Sequence, residues 1–368
     1  MKSFLFIYGP LGGGGAERVL LDILKNFDYT KYLVDLCLLC PGGILYDEIP
    51  QEVDVITLYR GYTLSYRLAY NLSTHFGIDY FLKKKVNKTL KKQYDVTISF
   101  LEGLPLKLHA FVDKPSTNIS WVHCDLFRFP YEKNQFFYGE ELRAYGKMNK
   151  IICVAKDTED AFQTRFPQLA NKTEVIYNPI DYKKILYKAE EEIFSNDVFT
   201  IVTVGRLTPP KKMERVLQVA KVLKVKGYTN IKFQIIGDGE LRNQLQRQIE
   251  NEDLADIVEL LGFKKNPYPI IMAADMMFCC SGFEGFCLVI CEAMLLGVPV
   301  VSTRTSGPIE ILGENKYGIL CDHSLDSMVN SVEKMIVDKQ LRLHYSEVGL
   351  ERVKDFYVEN TMERVYNL

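Results

Sequence analysis

The stretch from Met276 to Ser302 restricts the fold more than any other part of the chain. Met276-Met-Phe-Cys-Cys280 is a short apolar run suited to a buried strand, and Pro299-Val-Val-Ser302 begins another. Between them lie a turn containing Gly282 and Gly285 and an apolar helix that stops at Gly297, where a left-handed C-cap is expected. Strand, glycine turn, helix, strand is a βαβ unit, and open sheets of such units bind ligands at the carboxyl edge of their strands. Glu284 then sits at the mouth of the crevice, and Glu292 lies one to two turns into the helix. Glu292 is flanked by Val289, Ile290, Cys291, Ala293, Met294, Leu295 and Leu296. A buried carboxylate without partners is costly, so Glu292 needs either a buried Lys or Arg or a bound ligand.

At 368 residues the chain exceeds the size at which single cores usually split, so two domains are expected. A net charge of -2 argues against a nucleic-acid binder that relies on a global positive field. The nine cysteines are scattered and odd in number. Lys2 is followed by only six residues, five of them apolar, before the glycines begin, too few for a secretory signal. No run approaches the ~18 apolar residues of a spanning helix, so a reduced, cytoplasmic protein is expected. Cys37 and Cys40 fall within a strand-like run, Val34 to Cys40. An offset of three in a strand sends the thiols to opposite faces, which argues against zinc there.

Phe4-Leu-Phe-Ile-Tyr8 has the length and composition of a buried parallel strand. The glycine-rich loop 9–15 follows it, and then a helical pattern over Ala16–Leu24. Such a loop offers free amides to an anion. No Gly-x-Gly-x-x-Gly threads through it, and no Lys-Ser/Thr follows for a P-loop. Further strands are expected near 33–39, 53–58, 95–99, 117–125, 150–155 and 174–177. Glu102 and His123 fall at carboxyl ends of two of them. Between the third and fourth strands, Tyr62, Tyr66, Tyr70, Tyr80 and Phe81 precede Lys83, Lys84, Lys85, Lys88, Lys91 and Lys92. That run is either a solvated helix face or a surface for an anionic bilayer.

Residues 182–198 are charged and unpatterned, as in a linker. Phe199-Thr-Ile-Val-Thr-Val204 then opens a second series, followed by Gly205, Arg206, Lys211 and Lys212 on a turn before a helix. Cations on such a turn suit a diphosphate. Further glycine turns come at Gly237 and at Gly262-Phe263, and again at Thr305-Ser-Gly307. Two helices are expected over about 325–355 and a tail helix beyond Glu359.

Two glutamates with seven residues between them, with Gly-Phe after the first and Ala-Met-x-x-Gly-x-Pro-Val-Val after the second, resemble the nucleotide-sugar site of the retaining glycosyltransferases of family 4. Gly-Gly-Ala-Glu-Arg-Val at 14–19 and Gly-Arg-Leu…Lys at 205–211 resemble motifs of the same family. The resemblance implies the GT-B fold, with two Rossmann-like parallel sheets facing across a cleft. The acceptor domain would span 1–181, the linker 182–198 and the nucleotide-sugar domain 199–355, with a helix at 356–368 crossing back to the first domain. It implies that Glu284 contacts the donor sugar's hydroxyls and Glu292 both ribose hydroxyls. Arg206, Lys211 and Gly205 would hold the diphosphate. Gly262 and Phe263 would face the base, and the backbone of Gly285, Phe286, Cys287 and Leu288 the donor. His123 would lie near the sugar's 6-hydroxyl, Glu102 near the acceptor, and Gly14 and Gly15 beside both substrates. Cys287 departs from the pattern where glycine is frequent, and Lys212 where a small residue is usual.

No Asp-x-Asp occurs, so the metal-bridged diphosphate site of the other glycosyltransferase architecture has no candidate. No metal or cofactor is expected beyond the nucleotide sugar, which is a co-substrate. The implied reaction moves a sugar, from a UDP-sugar first of all, to a hydroxyl of a glycan or lipid-linked acceptor with retention, in surface polysaccharide synthesis. A nucleotide-sugar epimerase or hydrolase, and a non-catalytic sugar-nucleotide-binding relative, are the rival readings. The enzyme is expected in the cytoplasm, with a peripheral place on the inner membrane face as one reading of the lysine run.

Overall fold

The computed structural model describes residues 1–114, 116–127 and 135–368. Residues 1–179 together with Val358–Leu368 form one compact unit, and Ile180–Tyr357 form a second.

The first unit is built on β1 (Lys2–Tyr8), β2 (Tyr32–Leu38), β3 (Asp54–Thr57), β4 (Val96–Ser99), β5 (Thr117–Val122), β6 (Lys150–Cys153) and β7 (Thr173–Val175). Its order is β3-β2-β1-β4-β5-β6-β7, parallel throughout, with Phe4 opposite Val34 on one side and Val96 on the other. Phe4 to Tyr8 are buried on both faces, which is why β1 is continuously apolar rather than alternating. The helix Val358–Tyr366 belongs here. Tyr366 stacks on Tyr32 with ring centroids 4.5 Å apart, and its carbonyl accepts from Lys2 Nζ at 3.1 Å.

The second unit carries β8 (Phe199–Val204), β9 (Ile231–Ile236), β10 (Val258–Gly262), β11 (Met276–Cys279), β12 (Val300–Thr303) and β13 (Ile319–Cys321). The order β10-β9-β8-β11-β12-β13 is again all parallel. Ile201, Leu217, Phe233, Phe278 and Met335 are among the residues that fill its core. Gly297 has φ of +72° at the end of the helix Leu288–Leu295, the left-handed stop expected of it.

In each sheet the chain runs outward from one central strand, then returns to build the other side. The turning points are β1/β4 and β8/β11. Loops diverge there at the carboxyl ends and leave a crevice. Gly14, Glu102, Arg206, Lys211 and Glu284 lie in the loops after these four strands, while His123 follows β5, Gly237 follows β9 and Gly262 ends β10.

Two details differ from the sequence reading. Residues 182–189 are a helix of the second unit rather than linker. Asp181 caps it by accepting the Lys184 N–H at 3.1 Å, and Ile185 and Ala189 are buried. Two apolar residues four apart sufficed, although the charged neighbours hid them. The strand around Cys37 stops at Leu38, so Cys40 lies beyond it, and both thiols are buried. No helix among the described residues is long and apolar enough to cross a membrane.

Candidate active site

The second unit places two loops side by side, one after β8 and one after β11. Gly282 N–H donates to the Pro210 carbonyl at 2.8 Å, and the Arg215 guanidinium donates to the Cys280 carbonyl at 2.9 Å. Lys211 Nζ thereby meets Glu284 Oε1 at 2.5 Å. Ser281 Oγ donates to the same oxygen at 2.7 Å. Oε1 is thus doubly engaged, while Oε2 has no hydrogen bond among the described residues. Burial works to lower the Lys211 pKa, but attraction to Glu284 and the nearby sulfurs outweighs it, so the ammonium is held above the ordinary lysine value. Arg206 is exposed, and its guanidinium has no partner among the described residues.

Glycines let backbone pack on backbone beneath these cations. A Cβ on Gly237, at φ +144°, would lie 1.9 Å from the Gly205 carbonyl oxygen. Gly237 N–H in turn donates to the Gly262 carbonyl at 2.9 Å, so the three glycine turns form one layer. Phe263 beside them is 63 % exposed. A Cβ on Gly307 would lie 2.0 Å from the Phe286 carbonyl oxygen, so the turn after β12 braces the Glu284 loop. Glu292 is half-buried and accepts from the Tyr268 hydroxyl at 3.4 Å. Cys287 precedes the helix with φ of +75°, a left-handed conformation that costs a side-chain-bearing residue about 1–2 kcal/mol. Its sulfur is 3.5 Å from that of Cys279. The hydrogen bond from Cys287 lowers the Cys279 thiol pKa, against the opposing effect of burial.

The first unit pairs Glu102 with His123. The buried Glu102 carboxylate accepts the His123 backbone N–H at 2.9 Å. Burial lowers the His123 pKa to about 4 despite the nearby Glu102 charge, so the ring is neutral at neutral pH. His123 Nε2 is buried without a partner among the described residues. In the glycine loop, Gly13 has φ of +98°, and the Glu17 carboxylate accepts the Gly14 N–H at the start of the helix Gly15–Lys25. The anion-binding end of that helix therefore already holds a carboxylate. Beside it is a cavity of about 470 Å³ lined by Gly9, Pro10 and Glu102, by Tyr62 just before the helix Leu64–Phe76, and by Tyr66, Arg67, Tyr70 and Asn71 on that helix. Tyr59, Tyr62 and Tyr70 all pack on Tyr66, with centroids 5.2–5.8 Å apart.

Residues 187–352 match the family described as glycosyl transferases group 1. A Campylobacter jejuni protein is 30% identical over 365 residues, 96% of this chain and 95% of its own. It is the N-acetylgalactosamine-N,N'-diacetylbacillosaminyl-diphospho-undecaprenol 4-alpha-N-acetylgalactosaminyltransferase. The chain belongs to the group 1 glycosyltransferases. Among solved structures, Anabaena HepE, crystallised with UDP and glucose, superposes with a TM-score of 0.77 at 21% identity, over 100% of this chain and 99% of that one. WaaG, a glycosyltransferase involved in lipopolysaccharide biosynthesis, gives 0.75 at 15% identity, over 99% and 98%. These likenesses establish the GT-B fold.

The glycosyltransferase thus brings its candidate residues into two groups. Lys211 and Glu284 touch, as do Glu102 and His123, and the backbones of Gly205, Gly237 and Gly262 are layered. Arg206 stands apart from the Lys211–Glu284 pair. Ser281, Tyr268 and the tyrosines on Tyr66 gain their roles only from the fold. The i, i+4 spacing of Tyr66 and Tyr70 was the available signal for one helical face.

Proposed function

We propose that this glycosyltransferase moves a sugar from a nucleoside diphosphate, UDP first, to a hydroxyl of a lipid-linked glycan with retention of anomeric configuration, in surface polysaccharide synthesis. The observation that carries the reading is the polarisation of Glu284. Lys211 and Ser281 both hold Oε1, which leaves Oε2 for a sugar hydroxyl. A charged acceptor of this kind makes the stronger class of hydrogen bond. The exposed Arg206 guanidinium and the Lys211 ammonium meet the charge that grows on the leaving diphosphate, without a metal. In a front-face reaction the leaving phosphate oxygen takes the acceptor's proton, so no protein nucleophile is required. HepE, which holds UDP, shares the fold and makes uridine the base to try first.

The tyrosine-lined cavity beside Glu102 suits the acceptor glycan, because aromatic faces stack on sugar rings while Arg67 and Asn71 offer donors. The Campylobacter relative, by its name, acts on a diphospho-undecaprenol substrate, which favours a lipid-linked acceptor. A membrane-facing surface fits that substrate. Leu64, Phe76, Tyr80 and Phe81 are at least half exposed on the helices Leu64–Phe76 and Tyr80–Thr89. Lys83 pairs with Asp113 and Lys92 with Asp35, so Lys84, Lys85, Lys88 and Lys91 are the cations left without carboxylates among the described residues. Four lysines at about 1 kcal/mol each give reversible, salt-sensitive binding to an anionic bilayer.

The deciding experiment measures thermal shifts with UDP, GDP, ADP and their sugars, then nucleotide-sugar turnover with and without a lipid-linked acceptor. A ligand at ~100 times its Kd adds about 2.7 kcal/mol. Acceptor-dependent turnover with an α-linked product from an α-linked donor supports the reading. Turnover that ignores the acceptor points to a hydrolase or epimerase.

A further inference from the structure

Cys279, Glu284 and Cys287 lie around a single point. Two sulfurs and a carboxylate oxygen, one from each residue, fall within 4.8 Å of one another, and all three residues are buried. Cys279 closes β11, and Cys287 stands immediately before the helix Leu288–Leu295. The Sγ–Sγ distance of 3.5 Å discriminates between two fates for the pair. A disulfide would need the sulfurs about 1.5 Å closer. A tetrahedral zinc with bonds of ~2.3 Å holds its sulfurs about 3.8 Å apart, a change of a few tenths of an ångström.

We infer that Cys279, Cys287 and Glu284 form a binding site for a thiophilic divalent cation such as zinc, and that the cation inhibits the enzyme. On binding, the two thiols lose their protons to solvent and become thiolate ligands. A Glu284 oxygen becomes the third ligand, and one position on the metal stays open. The cation takes the place of the Lys211 ammonium, which now holds the carboxylate at Oε1. The inhibitory consequence rests on the donor-site reading of Glu284 given above, but the metal site does not.

Cadmium is the probe, because cadmium–thiolate bonds absorb in the ultraviolet. The full chain is kept reduced with a phosphine and titrated with cadmium chloride, then with zinc in competition. The expected result is saturation at one equivalent, with zinc abolishing the band. Cys279→Ser and Cys287→Gly should each lose the band, while Cys40→Ser should keep it. Glycine at 287 relieves the left-handed backbone, so that variant tests the ligand without threatening the fold. A reduced wild-type chain with no band overturns the site, as does a band that survives in Cys287→Gly or fails to saturate. Zinc should also lower UDP-sugar turnover in wild type by a larger factor than in Cys287→Gly. If cadmium binds as described but turnover is untouched, the inhibitory half of the inference is overturned, and so is the placing of donor on Glu284.

Discussion

The turn after β1 and the turn after β8 hold the same place in their respective sheets, yet they are charged in opposite ways. The first has four consecutive glycines and no cation, and Glu17 puts its own carboxylate on the Gly14 amide. The second has Gly205 alone at its start, followed by an exposed Arg206 and by Lys211 locked to Glu284. A strand-to-helix turn is a generic anion site. What separates the two is whether the anion is built in or left to a ligand. The first loop neutralises its own helix start with Glu17, and the second leaves the exposed Arg206 without a partner among the described residues.

That contrast can be broken by substitution. Arg206→Ala should cut kcat/KM by about 10²–10³, the range for one lost transition-state donor, while leaving the melting temperature unchanged, because the guanidinium has no partner among the described residues to strand. Glu17→Gln should leave kcat/KM nearly intact. Equal losses in the two variants would erase the distinction. Glu292→Gln should weaken nucleotide binding by roughly 1.5–3 kcal/mol, the range for a charged hydrogen bond. A 2′,3′-dideoxy nucleotide should lose affinity for wild type but little for that variant. Parallel losses in both would make Glu292 a structural partner of Tyr268.

The two units should also respond differently to acid. Burial lowers both His109 and His123, in the first unit, to about 4 from an ordinary 6.5. The unfolded chain binds their protons first, so stability is whole above about pH 6.5 and falls as pH drops toward 4. The slope should approach 1.4 kcal/mol per pH unit for each histidine. Urea titrations across that window should show it, and His123→Asn should remove about half. A flat profile would mean that water reaches the rings. The smallest effect expected is on the first loop: Glu17→Gln should cost about 0.3–1 kcal/mol of stability, the usual worth of an acidic group at a helix start, measured in the same titrations.

Much of this was legible in the sequence because local chemistry dictated it. Continuous apolar runs gave the strands, and glycine turns with adjacent cations marked β8 and β11. The strand order was not legible, since it depends on which edges find one another after the helices form. Nor was the helix at 182–189, whose two buried residues sit in a charged run. For the site, the spacing of Glu284 and Glu292 signalled a pair with different surroundings. Ser281 as a second donor to Oε1, and the contact between Cys279 and Cys287, depend on a turn geometry that no periodicity encodes. The self-capping by Glu17 could have been anticipated from a glutamate three residues after the N-cap.

The helix Val358–Tyr366 packs on β1 and β2, so it also bears on the order in which the protein can be made. A ribosome finishes the first 179 residues well before that helix exists, and the second unit is synthesised in between. Domains usually fold as they emerge, N-terminal first. Here the earliest unit must wait for the ring that stacks on Tyr32 and the carbonyl that accepts from Lys2 until Tyr366 arrives. Chains stalled before residue 358 would carry a complete second unit beside an unfinished first one, which exposes them to proteases and chaperones at the N-terminal sheet.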